Sequence, residues 1–228
     1  MIKHVFLDLD DTIFDFHAAE AIAIRETLVR MGAPASDDVV RRYSEINDLY
    51  WKMLERGEIT RERLLTERFD RLYSELGLSI SAELTRYTYR DRLAEQCIFI
   101  EGAEDLLRAL YGKYRLHAVT NGNATVQGRR IERAGVEKFF DHVFISEQIG
   151  ANKPSPAFFE RCFAAISDFD PREGIIVGDS LSSDILGGKN AGLTTCLFNP
   201  ESKQITGDTQ PDYEISSLAE LPELLLRI

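Results

Sequence analysis

Cysteine is scarce in this chain, with three in 228 residues. Cys97, Cys162 and Cys196 are odd in number and lack C-x-x-C spacing, which excludes a disulfide framework and a cysteine zinc site. They read as buried thiols of a reducing compartment. His4, His17, His117 and His142 show no metal-ligand clustering. His4 and His117 fall in strand-like runs and read as satisfied structural histidines. Positive charge is also short. Lys and Arg number 27 against 38 Asp and Glu, a formal net charge of −11. That balance argues against a nucleic acid polymer or an anionic membrane surface as the main partner. An anionic substrate must then be met by local positive charge, from a metal or a focused lysine. No apolar run reaches the roughly 18 residues a membrane span requires. Met1 runs straight into the first strand-like segment, so no signal peptide is expected and the cytoplasm is the expected compartment. A hydrophobic content of 44% and 228 residues suffice for an ordinary core without staples.

The most informative stretch present is Val5-Phe6-Leu7-Asp8-Leu9-Asp10-Asp11-Thr12. A short apolar run ends in two carboxylates one residue apart. If His4 to Leu7 form a buried strand, Asp8 emerges at its C-terminal end, where open α/β sheets bind ligands. Two acids so close repel, so they need a cation, a shared proton or both. Mg²⁺ suits carboxylate and phosphate oxygens.

Three further motifs follow in order. Thr120-Asn121-Gly122 ends the apolar stretch Leu116 to Val119. Lys153-Pro154 follows Gly150-Ala151-Asn152, and Ile175-Ile176-Val177-Gly178-Asp179 is a second buried-strand pattern ending in an acid, with Asp184 five residues on. The order Asp-x-Asp, Thr, Lys, Gly-Asp-x-x-x-x-Asp resembles the haloacid dehalogenase (HAD) superfamily over nearly the whole chain.

The periodicity divides the chain. From about residue 18 to 96 it is helical, without a convincing strand. Helices are expected around Ala21 to Met31, Val39 to Met53, Leu65 to Leu76 and Leu84 to Tyr87. Ser36 or Asp37, Thr60 and Ser81 are their expected caps. After Gly102, helix and strand alternate, with a helix expected from Ser183 to Ala191 and a last one from about Leu218 to Leu226. Strict alternation implies an α/β, Rossmann-like, doubly wound parallel sheet. Residues 1–14 must rejoin 98–228 to complete it, so residues 15–97 are an inserted helical bundle. The stretch from Glu201 to Gln210 reads as loop.

The resemblance implies a role for each motif. Asp8 would be the nucleophile, forming an aspartyl phosphate. Asp10 would protonate the leaving oxygen and then activate water. Thr120 and the backbone N–H of Asn121 would bind the phosphoryl oxygens, and Lys153 would neutralise charge. Asp8, the Asp10 carbonyl and Asp179 would hold Mg²⁺, with Asp184 acting through water or Lys153. Asp10 favours phosphoryl transfer, because haloacid dehalogenases lack this second acid. The inserted bundle resembles a C1-type cap, with hinges at Phe14 to His17 and Cys97 to Gly102.

Within the superfamily, Asn47 to Trp51, Glu55 to Thr60, Leu65 and Arg68-Phe69 resemble the cap of the YjjG-type pyrimidine 5′-nucleotidases. Trp51 and Phe69 read either as cap core or as an aromatic wall for a base. Arg56, Arg61, Arg63 and Arg68 read mostly as solvated charges. The expected activity is Mg²⁺-dependent hydrolysis of a nucleoside monophosphate by a monomer or small homo-oligomer. The alternatives are a small sugar-phosphate or phosphoglycolate phosphatase and a sugar-phosphate mutase. A phospho-receiver module is disfavoured, because it has no place for a cap. A silent HAD-fold binding protein would have lost a motif residue, and none is lost.

Overall fold

The computed structural model describes residues 1–228. Strand β1 (His4–Leu7) is buried at every position and opens the chain. Four helices follow: α1 (Phe16–Arg30), α2 (Asp37–Glu55), α3 (Arg61–Glu75) and α4 (Ala82–Leu93). Then α5 (Ala103–Leu110), β2 (Arg115–Thr120), α6 (Ala124–Ala134), β3 (His142–Ile145), α7 (Ser146–Ile149) and α8 (Pro156–Ala164) alternate. They are followed by β4 (Gly174–Gly178), α9 (Leu186–Asn190), β5 (Thr194–Phe198), β6 (Tyr213–Ile215) and α10 (Leu221–Arg227).

The chain forms two compact units, residues 1–15 with 99–228 and residues 16–98. The first is built on a six-stranded sheet in the order β3-β2-β1-β4-β5-β6, parallel throughout. β1 lies between β2 and β4, with Phe6 level with His117 on one side and Ile176 on the other. Continuous apolar runs such as Ile175-Ile176-Val177 are what a sheet covered on both faces requires. One face packs Val5, Leu7, Ala118, Ile175, Val177 and Cys196 against Leu106, Leu107 and Leu221. The other packs Phe6, Val119 and Ile176 against Phe158, Phe159 and Cys162. Where the chain leaves and re-enters this unit, Phe14 bridges Phe99, and the Ile100 N–H donates to the Ile13 carbonyl at 3.0 Å.

Three histidines run across the N-terminal half of the sheet. His4 Nδ1 meets His117 Nε2 at 3.0 Å, and His117 Nδ1 meets His142 Nδ1 at 3.3 Å. His4 and His117 are satisfied structural residues, as the sequence suggests. Burial, then the neighbouring His4 and His142, lowers the His117 pKa to about 3.

The helical unit has its own core. Tyr43 stacks on Phe69 at 5.3 Å, and Tyr89 closes on both rings. Phe69 is fully buried, so its side chain is part of this core. Thr60 and Ser81 cap α3 and α4 by accepting from the Arg63 and Leu84 N–H groups. Ser36 occupies the N-cap of α2 without a side-chain hydrogen bond. Arg68 departs from the expectation of a solvated charge. It is buried, donates to Asn47 Oδ1 at 2.5 Å and lies over the Tyr43, Phe69 and Tyr89 rings. Its helix position faces the aromatic core, and a guanidinium stacks there without losing its charge. Glu20 is buried nearby and accepts from Ser44 at 2.5 Å. Burial raises its pKa to about 7 against the lowering effects of Ser44 and Arg68.

Two expectations are revised. β6 falls just beyond the expected loop and is an unforeseen edge strand, with Tyr213 and Glu214 exposed. The expected helix from Ser183 begins earlier, as a wide π-type turn at Leu181–Ile185 that runs into α9. No helix is long and apolar enough to cross a membrane.

Candidate active site

The C-terminal ends of β1, β2 and β4 converge, and each carries one motif. Asp8 follows β1, its N–H donating to the Val177 carbonyl at 2.9 Å, so the ladder with β4 extends to the proposed nucleophile. The chain then turns sharply. The Ile13 and Phe14 N–H groups donate to the Leu9 carbonyl, and Asp11 adopts a left-handed φ of 57°. Aspartate is among the few side chains that tolerate that conformation.

Lys153 is the hub. Its ammonium donates to Asp8 Oδ1 at 2.5 Å, Asp184 Oδ1 at 2.7 Å and the Val119 carbonyl at 2.9 Å. An ammonium has three protons, and all three are used. The backbone of Lys153 is tethered too. Its N–H donates to Asn121 Oδ1 and its carbonyl accepts from Asn121 Nδ2, both at 2.9 Å. The lysine is buried, at 1% exposure. Burial works against its charge, but Asp184 and Asp8 outweigh it and raise its pKa.

The acids are overloaded. Asp8 sits well above the usual carboxylate range because of burial, with Lys153 opposing and Asp184 and Asp10 reinforcing the shift. Asp179 keeps an exposed face, yet the protein packed around it and the charges of Asp8, Asp184 and Asp11 push its pKa well up. Asp8, Asp179 and Asp184 offer oxygens within 4.8 Å of one another. Three carboxylates sharing one ammonium leave surplus negative charge, and an all-oxygen donor set fits a hard divalent cation. Asp184 can come this close because Gly178 has no side chain. A Cβ there would lie 2.3 Å from Asp184 Oδ2.

Thr120 ends β2. Its hydroxyl oxygen accepts from the Gly122 N–H at 3.0 Å and from Gln127 Nε2 at 3.1 Å. With its oxygen accepting twice, the hydroxyl keeps its own proton to donate. Asp10 stands beside it but outside the carboxylate cluster. Its Oδ2 accepts from Gln127 Nε2 at 2.6 Å and its Oδ1 from Arg130 Nη1 at 2.5 Å.

The seven residues singled out from sequence therefore fall at one end of one sheet. Gln127 and Arg130 were not among them. They lie three apart on α6, one turn of helix, and both are buried. Two polar residues facing inward from an amphipathic helix were the available signal. Glu147 was also missed. It accepts from Asn123 Nδ2 and the Ala124 N–H, securing the start of α6.

Comparison with known proteins agrees with this arrangement. The family model of the haloacid dehalogenase-like hydrolases matches residues 2–192. The HAD-hydrolase YfnB of Bacillus subtilis is 38% identical over 98% of this chain and 95% of its own. Its crystal structure, described as bound to magnesium, superposes with a TM-score of 0.94 over 98% of both chains. The pyrimidine 5′-nucleotidase PynA of Streptococcus pneumoniae is 36% identical over 98% of this chain and 94% of its own. The pyrimidine 5′-nucleotidase YjjG of Escherichia coli is 30% identical over 98% and 97%. This chain belongs to the haloacid dehalogenase-like hydrolases and resembles the YjjG-type phosphatases among them.

Proposed function

We propose that the protein is a Mg²⁺-dependent 5′-nucleotidase that hydrolyses nucleoside monophosphates, pyrimidine ones foremost, through an aspartyl phosphate on Asp8. The observation that carries the reading is the Lys153 ammonium shared between Asp8 and Asp184. It fixes a carboxylate at a strand end while leaving its second oxygen for attack on phosphorus. The substrate class rests on the likeness to PynA and YjjG.

Asp8 attacks phosphorus as the bond to the leaving oxygen breaks, and Asp10 donates a proton to that oxygen. Lys153 stays charged throughout and offsets the negative charge of Asp8 and the phosphoryl group. The free hydroxyl proton of Thr120 serves a phosphoryl oxygen, aided by the Asn121 N–H. Asp184 acts by holding Lys153. Bound Mg²⁺ would be held by Asp8, the Asp10 carbonyl and Asp179, and would supply further neutralisation of phosphoryl charge. Water then releases phosphate from Asp8, with Asp10 taking its proton. The helical unit, residues 16–98, serves as the cap that selects the leaving group.

The test is phosphate release with Mg²⁺ from a panel of nucleotides, sugar phosphates and phosphoglycolate. Nucleoside monophosphates are expected to turn over fastest, and Asp8→Asn is expected to abolish release. Preference for another ester would overturn the substrate class, and near-normal activity of Asp8→Asn would overturn the mechanism.

A further inference from the structure

Arg130 has no surface at all, yet it carries a full charge. A buried guanidinium is costly unless it is paired. Here its Nη1 meets Asp10 Oδ1, and its Cζ lies 4.8 Å from the centre of the Phe14 ring. Gln127, one turn earlier on α6, is also buried and gives its Nε2 to the other Asp10 oxygen. The two residues are tied together, with Arg130 Nη1 donating to Gln127 Oε1 at 3.2 Å. Gly122 makes room for this. A Cβ at Gly122 would lie 2.3 Å from Gln127 Nε2. The turn after β2 and the first half of α6 are thus shaped around the carboxylate of Asp10.

We propose that Gln127 and Arg130 are positioning residues that orient Asp10 as the base of the second half-reaction. The inference rests on the role for Asp10 given above. Both Asp10 oxygens accept hydrogen bonds from side chains of one helix, so the carboxyl group is held at two points. As the base, Asp10 removes a proton from water. The water oxygen bonds to phosphorus, the bond from phosphorus to Asp8 breaks, and its electron pair returns to the Asp8 carboxylate as phosphate forms. Fixing both oxygens removes the side-chain rotation that would otherwise precede proton transfer. With a leaving group that departs without an acid, the first half-reaction does not draw on Asp10, and only the second reads the clamp.

The two half-reactions separate kinetically. With a covalent intermediate, kcat/KM reports its formation, whereas slowed breakdown lowers kcat and KM together. The probe is p-nitrophenyl phosphate with Mg²⁺, whose leaving group needs no acid. Arg130→Met is expected to lower kcat on the order of tenfold or more, within the range of general base catalysis. Its kcat/KM should stay within about threefold of the parent. A burst of p-nitrophenol and a trapped phosphoenzyme should accompany that fall. Arg130→Lys, which keeps the charge but not the fork, should recover part of kcat and guards against failure of Arg130→Met to fold. Gln127→Leu should lower kcat and also kcat/KM, because Gln127 touches Thr120. Equal loss of kcat and kcat/KM in both Arg130 variants, or no loss in either, would overturn the positioning role while leaving the phosphatase reading intact. A parent protein that releases no phosphate from this probe or from uridine 5′-monophosphate would overturn both.

Discussion

Acid sensitivity of the core should trace to His117. The imidazole is fully buried on β2, between His4 and His142, and its pKa is lowered to about 3 from an ordinary 6.5, first by burial. The sign follows from which state holds the proton. Above 6.5 the ring is neutral in both folded and unfolded chains, and its contribution to stability is fully present. As pH falls from there toward the folded value, the unfolded chain takes up a proton that the folded chain refuses, and stability is lost. At pH 5 the unfolded imidazole is almost fully charged and the folded one is not, a difference of about 2 kcal/mol. His117→Gln removes the titrating group and keeps a polar atom toward His4. The variant will be less stable at neutral pH for packing reasons, so the quantity to compare is the change with pH. Urea unfolding at pH 7.5 and pH 5 should show the parent losing about 2 kcal/mol more than the variant between the two. Hydrogen exchange of the β2 amides reads the sheet separately from the helical unit. His4 also has a lowered pKa and touches His117, so its own titration is followed by NMR in both proteins and its change is subtracted. Equal losses in parent and variant would refute the assignment.

Three further outcomes are expected. Mg²⁺ should raise the melting temperature of the parent, by about 2.7 kcal/mol of stability at a hundredfold excess over Kd, and much less in Asp179→Asn; calorimetry with and without EDTA decides it. Lys153→Met should cut turnover by at least ~10³-fold and, by leaving Asp8 and Asp184 unpaired, cost about 3–5 kcal/mol in denaturant unfolding; a variant as stable as the parent would contradict the bridging role. Glu20, raised to about 7 by burial, favours folding while neutral and loses that contribution as pH rises through 7. Glu20→Gln should therefore gain up to roughly 3 kcal/mol over the parent at pH 8 and less than about 1 kcal/mol at pH 5, read by urea unfolding.

Much of the site could be read from the sequence because parallel strands advertise themselves. Val5 to Leu7 and Ile175 to Val177 are unbroken apolar runs, and the acid that ends each one lies at the sheet edge where ligands bind. Lys153 is in a loop, and only the proline after it and its place in the motif order marked it. The reciprocal bonds to Asn121 that fix it join residues far apart in the chain and leave no local trace. Gln127 and Arg130 escaped because apolar periodicity ignores polar residues that face inward. Arg68 escaped for the same reason. β6 escaped because a three-residue edge strand with two exposed side chains has no apolar run to show.

The central place of β1 also sets an order of events during synthesis. β1 is made before the other five strands, but its neighbours are β2 and β4, and His4 cannot pair with Gly174 until about 170 further residues have been made. At about 5–20 residues per second that delay is roughly ten seconds or more. In the interval the helical unit, contiguous in the chain and built on local contacts, can fold first. The apolar β1 has both edges bare until β2 is made and one edge bare until β4 is. The price of a nucleophile at the middle of a parallel sheet is thus a nascent chain exposed to mispairing, and slowing translation after α4 should lengthen that exposure.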